Sequence, residues 1–430
     1  MKVLFLYITC FICCSLTAQH TSILSMRKAN DMIYDSLTEK IYTSLSSEDP
    51  DNPNSIGIIN PADNILISAI PTEEEPSIMA ISDNSQYIYF GTKNSSKIKR
   101  LDIASLTIDQ EFELGADDEN YEYTALDIKV VPNNPLTIVV VRKLLNNTTT
   151  DTDGGLGVYE DGIMKPDDLD SALNYTSNQI YFKNPTTIIG YLGTNISNYT
   201  LNSNGIYLSN KFEDVINPHP VTIPRFEYHN NKAYFSNGNV LDVTSTPTYI
   251  GQLNSETNNA VTFDTSNNLV CCGFRSSELF YYENGIWNVS LKRFNPETYE
   301  LYDEYKVTAY GEVHKIITCG DGCLALHTSN KDNNNENFLI INNLPLSSEK
   351  VNFNNRKLCI YPTISSNIIN ITTNDGIIIQ SLSAYDIEGK IVLNTFENDK
   401  IDISNLCSGL YILKLTDNNY NTYIEKFIKN

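Results

Sequence analysis

The stretch EPSIMAISDNSQYIYFGTKNSSKIKRLDIASLTIDQEFELG, from Glu75 to Gly115, decides the fold class of this chain. It divides into four short runs, SIMAIS, YIYFGT, KIKRLDI and QEFEL. These runs are rich in β-branched and aromatic residues, and Asn, Asp, Gly and Ser separate them, which predicts four strands joined by turns. SDNSQ between the first two runs predicts a hairpin turn.

The same order of strands recurs along the chain. NDMIYDSLTEKIYTSLSSEDPDNPNSIGIINPADNILISAIP, from Asn30 to Pro71, repeats it fully. Looser units begin near Thr124, Asn178, Phe226, Ala260 and Val313. Seven units spaced by roughly 40 to 50 residues predict an all-β chain with a seven-bladed β-propeller. Another repetitive all-β fold is the alternative.

Closure of the ring depends on the first mature residues. The last repeat has three clear strands, and TSILSM, from Thr21 to Met26, offers a fourth. Pairing this strand with Asn337 to Asn342 would complete the last blade and leave no open sheet edge. This closure favours a propeller over a stack of sandwiches.

The two clear repeats resemble the YVTN-type propellers of exported prokaryotic proteins. The two repeats share one sequence pattern. An apolar strand and a polar turn are followed by YIYFGT or KIYTSL, and then by IKRLDIASLTI or IGIINPADNIL. The resemblance is specific over residues 30–115 and looser to about residue 345.

Composition and the N-terminus bear on partners and location. The chain has 430 residues, 30 basic against 52 acidic side chains and a net charge of −22, so nucleic acid is a poor partner. MKVLFLYITCFICCSLTAQH has the charged, apolar and small-residue regions of a secretory signal peptide, residues 1–18, with cleavage after Ala18. No other stretch is long and apolar enough to span a bilayer.

A second domain follows the propeller, which we assign to residues 19–345. Residues 346–358 lack an apolar period and are predicted as a linker. Residues 359–430 alternate strands and turns throughout, which predicts a small Ig-like β-sandwich.

Short motifs in this second domain occur in a fixed order. They are Tyr361, Pro362, Tyr385, Asp386, Gly389, Lys390, Asp402, Ser404, Leu406, Gly409, Tyr411, Lys426, Phe427 and Lys429. In this order they resemble the type A C-terminal sorting domain of the type IX secretion system in Bacteroidetes. Two departures are Thr363-Ile364 after Pro362, where the family has a longer Pro-containing motif, and a candidate pair, Cys359 and Cys407. An ordinary adhesive sandwich is the alternative.

The resemblance implies a route for the protein. The signal peptide would take the chain to the periplasm, and an outer-membrane translocon would read the C-terminal domain. The protein would then be secreted or held at the cell surface. We therefore predict a non-enzymatic cargo whose propeller loops bind a protein or a glycan. The alternative is a secreted carbohydrate-active hydrolase or lyase.

No catalytic, cofactor or metal residue can be assigned from motifs. The chain lacks a nucleophile elbow, a zinc helix motif and a phosphate-binding Gly loop. Cys319 and Cys323 flank GDG in a predicted hairpin and are the candidate disulfide. The acidic loops Ser46 to Ser55 and Thr148 to Gly157 carry oxygen ligands of the kind that Ca²⁺ takes, although solvated loops are the favoured interpretation.

Overall fold

The computed structural model describes residues 21–24, 27–145, 154–165, 177–216, 225–253, 260–275, 286–310, 312–330, 335–342, 344, 358–361, 364–373, 379–386, 389–393, 400–417 and 422–430. The chain divides into two compact units, Met1–Ser347 and Ser348–Asn430. The predicted signal peptide lies outside the described residues, as does the predicted linker except for its last residue, Leu358. Both stay predictions. In the described ranges there is no helix long and apolar enough to cross a membrane.

The described part of the first unit consists of seven four-stranded antiparallel sheets. Sheet one contains β2 (Ala29–Asp35), β3 (Lys40–Leu45), β4 (Ser55–Asn60) and β5 (Ile65–Pro71). Sheet two contains β6 (Pro76–Ile81), β7 (Tyr87–Thr92), β8 (Lys97–Asp102) and β9 (Thr107–Glu113). Sheet three contains β10 (Tyr123–Val131), β11 (Asn134–Leu144), β12 (Leu156–Glu160) and β13 (Ile163–Met164). Sheet four contains β14 (Gln179–Asn184), β15 (Thr187–Leu192), β16 (Asn195–Asn202) and β17 (Gly205–Phe212).

The remaining three sheets have the same form. Sheet five contains β18 (Phe226–His229), β19 (Lys232–Phe235), β20 (Asn239–Asp242) and β21 (Thr248–Gln252). Sheet six contains β22 (Ala260–Asp264), β23 (Leu269–Arg275), β24 (Ile286–Phe294) and β25 (Leu301–Tyr310). Sheet seven contains β26 (Glu312–Thr318), β27 (Leu324–Asn330), β28 (Asn335–Ile341) and the early strand β1 (Thr21–Leu24).

The first strands of the seven sheets contact one another in cyclic order, from β2 through β6, β10, β14, β18 and β22 to β26 and back to β2. The sheets therefore form a closed ring around a central channel. The prediction of an all-β propeller is confirmed.

The ring is closed by the pairing predicted from the sequence. β1 runs antiparallel to β28, with Thr21 opposite Ile341 and Leu24 opposite Phe338. The first and last parts of the unit thus share one sheet. The predicted closure is confirmed.

Burial along each strand follows its place in the sheet. All six residues of β7, YIYFGT, are buried, because a central strand packs against a neighbouring sheet on both faces. The outermost strand β9 alternates exposed and half-buried residues, because one face meets solvent. Apolar clusters fill the space between sheets, as where Tyr42 and Ile58 of sheet one meet Ile88 and Phe90 of sheet two.

The second unit is a β-sandwich. One sheet has the order β30 (Ile364–Ser365), β36 (Thr422–Lys429), β35 (Gly409–Asp417), β32 (Ile379–Tyr385), β33 (Ile391–Leu393). The other has the order β29 (Leu358–Tyr361), β31 (Ile368–Thr373), β34 (Lys400–Asp402). Ile369 and Ile401 of the smaller sheet share one core with Leu413, Leu415 and Phe427 of the larger sheet.

Candidate functional site

The central channel of the propeller contains a cavity of 430 Å³. Its wall comes from the first strands of six sheets, which is where a propeller leaves space that its blades do not fill. The lining residues used below are Tyr34, Gln179, Tyr181, Arg225, Phe226, Glu227, Thr262, Phe263 and Lys315. Apolar side chains from β2, β6, β22 and β26 also line the wall.

Neighbouring first strands belong to different sheets, so no backbone hydrogen-bond ladder joins them. Side chains link them instead. Asp31, Asp127 and Gln179 each accept the backbone N–H of a residue on the next first strand. The bonds join Met79 N to Asp31 Oδ2 at 2.8 Å, Ile180 N to Asp127 Oδ2 at 2.9 Å and Phe226 N to Gln179 Oε1 at 3.0 Å. A β-bulge immediately precedes both aspartates, which re-aims their side chains out of the regular pleat.

Each of these aspartates also holds a lysine. Lys129 Nζ donates to Asp127 Oδ1 at 2.9 Å, and Lys315 forms an ion pair with Asp31. The Lys129 ammonium lies 4.9 Å from the centroid of the Tyr181 ring. The negative face of an aromatic ring attracts a cation at this distance. The carboxylates of Asp31 and Asp127 are therefore occupied by backbone amides and ammonium groups.

Tyr181 and Glu227 form a hydrogen-bonded pair in the cavity. Tyr181 Oη donates to Glu227 Oε2 at 2.9 Å, and Gln179 Nε2 donates to Tyr181 Oη at 3.2 Å. Burial raises the pKa of Glu227 to about 7, although the Tyr181 bond and the charges of Lys129 and Lys315 act in the opposite direction. Part of the Glu227 side chain is accessible to the cavity, but protein encloses it, so loss of bulk water is the larger effect. Burial, followed by the charge of Glu227, also raises the pKa of Tyr181 well above its ordinary value.

Arg225 stands immediately before β18 and is exposed at the cavity. Within the described ranges no carboxylate forms an ion pair with its guanidinium. Its backbone is held in place, since Arg225 N donates to Ser236 Oγ at 3.0 Å. Among the described residues, Arg225 is therefore a cation of the cavity for which no neutralising carboxylate is found.

Aromatic rings line another part of the cavity wall. The Tyr181 and Phe226 rings meet edge to face, with centroids 4.9 Å apart. Phe263 stacks on His229 with centroids 3.7 Å apart, and burial lowers the pKa of that histidine. The wall thus combines apolar faces with a few convergent polar groups.

Four of the sorting-motif residues make contacts that hold the second unit together. Tyr411 and Phe427 are buried and stack at 5.3 Å, and Tyr411 Oη donates to Cys407 O at 2.8 Å. Asp402 Oδ1 accepts Ser404 N at 2.8 Å, and the bonds from Ser404 lower the pKa of Asp402.

Other motif residues lie in turns and at strand ends. Gly389 has φ of +82° in the turn before β33, a conformation that favours glycine, and the neighbouring Lys390 N donates to Asp386 Oδ1 at 2.9 Å. Gly409 begins β35 opposite Lys429. Tyr361 ends β29, and Pro362 lies outside the described residues.

The two terminal lysines differ. Lys426 is exposed, whereas Lys429 is buried and its Nζ donates to Asn430 O at 2.6 Å. Lys426 is therefore the cation of the two that a receptor can reach.

One of the two candidate cysteine pairs forms a disulfide, and the other does not. Cys319 and Cys323 form a disulfide across the turn between β26 and β27, with Cα atoms 5.0 Å apart. Cys407 is a free, exposed thiol, so the candidate pairing with Cys359 is not formed.

The first candidate calcium loop is held by its own hydrogen bonds and an ion pair. Asp49 Oδ1 accepts the N–H groups of Asp51 and Asn52 and pairs with Arg27 at 2.9 Å, so it serves the turn itself. Much of the Thr148 to Gly157 loop lies outside the described residues. Among the residues that are described, no group of three or more His, Cys, Asp or Glu side chains could hold a metal ion.

Comparison with known families identifies the second unit. Residues 359–430 match the family model of the secretion system C-terminal sorting domain. This confirms the resemblance seen in the motifs. A domain of this kind marks its protein for export to the cell surface or for secretion, so the chain is an exported cargo of that system.

Comparison with solved structures concerns the propeller. The β-propeller domain of Cps50 (Swd1) from Myceliophteria thermophila is 7% identical, with a TM-score of 0.52 over 74% of this chain and 98% of that domain. U3-55K is 12% identical, with a TM-score of 0.50 over 76% of this chain and 99% of its own. The WD40 repeats of RRP9 are 11% identical, with a TM-score of 0.51 over 76% and 98%. At such identities the likeness shows the fold alone, and no curated protein matches the chain.

The cavity residues carry no motif that marks them in the sequence. QIYFK and FEYH, which carry Tyr181 and Glu227, have the composition of ordinary strands. The two residues lie 46 positions apart, and only the ring brings them together.

Proposed function

We propose that this protein is an exported, non-enzymatic cargo whose propeller binds a glycan in the central cavity. Export begins with the predicted signal peptide and is completed through the C-terminal domain. The observation that carries the proposal is the cavity, whose 430 Å³ falls within the range of about 300 to 1,000 Å³ typical of small-molecule sites.

The lining suits a sugar. Sugar rings offer C–H faces to half-buried aromatic side chains such as Tyr34 and Tyr181, and hydroxyls to Glu227 and Arg225. A protein partner would instead contact the loops around the channel mouths, because a cavity of 430 Å³ holds only a small group or a chain end.

A carbohydrate-active enzyme is the second candidate, and the Tyr181–Glu227 pair favours it. A carboxyl group with a pKa of about 7 is suited to donate and accept protons near neutral pH. A glycosidase needs two carboxyl groups flanking the scissile bond, however. Asp31 and Asp127 each accept backbone amides and a lysine, which opposes such a role.

The test uses the mature full-length chain, residues 19–430, on a glycan array, followed by titration calorimetry with each glycan that binds. We expect Tyr181→Phe and Glu227→Gln to weaken binding about tenfold or more, since each removes a buried polar contact. Lys93→Gln, at an exposed lysine that pairs with Glu75 away from the cavity, is the matched control and should leave affinity unchanged.

Two results would contradict the proposal. Failure of every glycan to bind, with the protein folded by circular dichroism, would remove the glycan assignment. Cleavage products detected by mass spectrometry, and lost in Glu227→Gln, would establish the enzyme instead.

A further inference from the structure

We propose that the glycan bound in the central cavity is acidic, and that Arg225 receives its carboxylate while Glu227 donates a hydrogen bond to it. This inference rests on the proposed function and names the chemical class of its ligand.

The charges of the cavity lead to this assignment. Lys129 and Lys315 are each matched by an aspartate, Asp127 and Asp31, and both aspartates are further held by backbone N–H groups. Two of the three cations near the cavity are therefore neutralised by the protein. The guanidinium of Arg225 remains, and its planar set of donors matches a carboxylate in two parallel hydrogen bonds.

The protonation state of Glu227 sets the net charge of the cavity. The groups around it are Tyr181 from the neighbouring fourth sheet, the Lys129–Asp127 pair from the third sheet, the Lys315 ammonium of the seventh sheet with its partner Asp31, and Arg225 immediately before its own strand. The sixth sheet contributes the neutral Thr262. When Glu227 is protonated, Arg225 is the excess charge and the cavity is cationic.

A ligand carboxylate favours that protonated state, and a ligand amine opposes it. A protonated Glu227 can donate its O–H to a carboxylate oxygen, while a ligand ammonium group would be repelled by the Arg225 guanidinium. Because the pKa of Glu227 is about 7, protonation of this side chain near neutral pH costs little free energy. The site can therefore take up a proton together with the ligand.

The charge of the whole protein limits how much of such a glycan can bind. A net charge of −22 repels a long polyanion at a distance. The local cations therefore select a terminal carboxylate inside the cavity rather than a run of carboxylates on the surface. This distinguishes the site from a basic patch that would bind polyanions along their length.

The experiment compares a short oligouronate with its carboxyl-reduced counterpart, in which each carboxylate is replaced by an alcohol. The mature full-length chain is titrated with both by calorimetry, together with free monomeric uronate to separate a chain end from a single sugar acid. We expect the oligouronate to bind about ten- to a hundredfold more tightly than the reduced form, as for a lost hydrogen bond to a charged group.

Variants then assign the contact. Arg225→Met should remove the preference for the oligouronate, so that the oligouronate and the reduced form bind with similar affinity. Arg225→Lys should retain part of the preference, because charge remains but the paired geometry is lost. Lys93→Gln is the control for a change of one positive charge far from the cavity, and it should have no effect.

The pH profile of the wild-type protein is an independent readout. Affinity for the oligouronate should rise as pH falls through about 7, by up to about tenfold per pH unit. Glu227→Gln should abolish this dependence.

Equal binding of the two oligosaccharides, or a wild-type affinity that falls with decreasing pH, would overturn the inference. Binding of neutral glycans alone would overturn it and leave the proposed function intact. Binding of no glycan would remove both. Binding of monomeric uronate as tightly as the oligouronate would overturn the glycan part of the inference and assign the site to a free sugar acid.

Discussion

The link between neighbouring first strands provides a sharp test of how the ring is held together. Asp127 is 5% exposed, and its carboxylate accepts Ile128 N at 3.0 Å, Ile180 N at 2.9 Å and Lys129 Nζ at 2.9 Å. Asp127→Ala would leave two buried N–H groups and an ammonium without this acceptor. Removal of one partner from a buried charged network costs about 3 to 5 kcal/mol, so we expect a loss in that range.

Asp83 offers a matched control. It accepts Asn133 N at 2.7 Å, so it also joins one sheet to the next, but it lies on an exposed turn where water can replace it. Asp83→Ala should cost below about 1 kcal/mol. Asp127→Asn should fall between the two alanine variants, because an amide oxygen can still accept Ile180 N without the charge.

The assay is urea unfolding of the mature chain followed by circular dichroism, with the free energy of unfolding taken from the midpoint and slope. The slope should stay constant across the variants, so that the midpoints report stability. If Asp127→Ala and Asp83→Ala differed by less than about 1 kcal/mol, the side-chain link between first strands would not be a determinant of propeller stability.

Three further outcomes are expected. Deletion of residues 19–27 removes β1, whose four residue pairs with β28 carry about four hydrogen bonds, and should cost about 2 to 6 kcal/mol by urea unfolding. Deletion of residues 425–430 removes most of β36 and should retain the folded propeller in the periplasm, measured by fractionation and limited proteolysis. Glu227 has a folded-state pKa raised from 4.5 to about 7, so stability should decline as pH rises through that interval, and Glu227→Gln should flatten the decline.

Each of these outcomes has a control. A scrambled sequence in place of residues 19–27 that restored full stability would show that closure does not need this strand. Normal secretion of the truncated protein by cells with an intact translocon would contradict a role for β36 in sorting, and fusion of residues 345–430 to a fluorescent protein tests sufficiency. An unchanged pH profile in Glu227→Gln would mean that other groups set the dependence.

The strands of the two clearest repeats could be predicted because they depend on local pattern. The segment from Glu75 to Gly115 alternates apolar runs with turn residues, and β6 to β9 fall on those runs. Pairing of β1 with β28 could also be predicted, because a sheet with one strand missing and a spare strand elsewhere leave few alternatives. The sorting domain could be identified because its motifs occur in order within one short segment.

The sequence alone could not show which residues of the sorting domain are buried and which are exposed. Lys426 and Lys429 look equivalent in KFIK, yet one is exposed and the other buried. Side chains along a strand alternate between its two faces, so two lysines three positions apart lie on opposite faces. The Lys429 ammonium donates to the backbone oxygen of Asn430. The same limit applies to Cys407, whose free thiol depends on which strands the fold brings close.

By itself the sequence determined the fold class, the closing strand and the export route, because each follows from residues close together or from a repeated unit. Only the tertiary structure decided the candidate site. Tyr181, Glu227 and Arg225 come from two blades and Lys315 from a third, and none belongs to a motif. Their chemistry arises where first strands converge on the channel and exclude water, which raises the pKa of a carboxyl group that would be ordinary on an isolated strand.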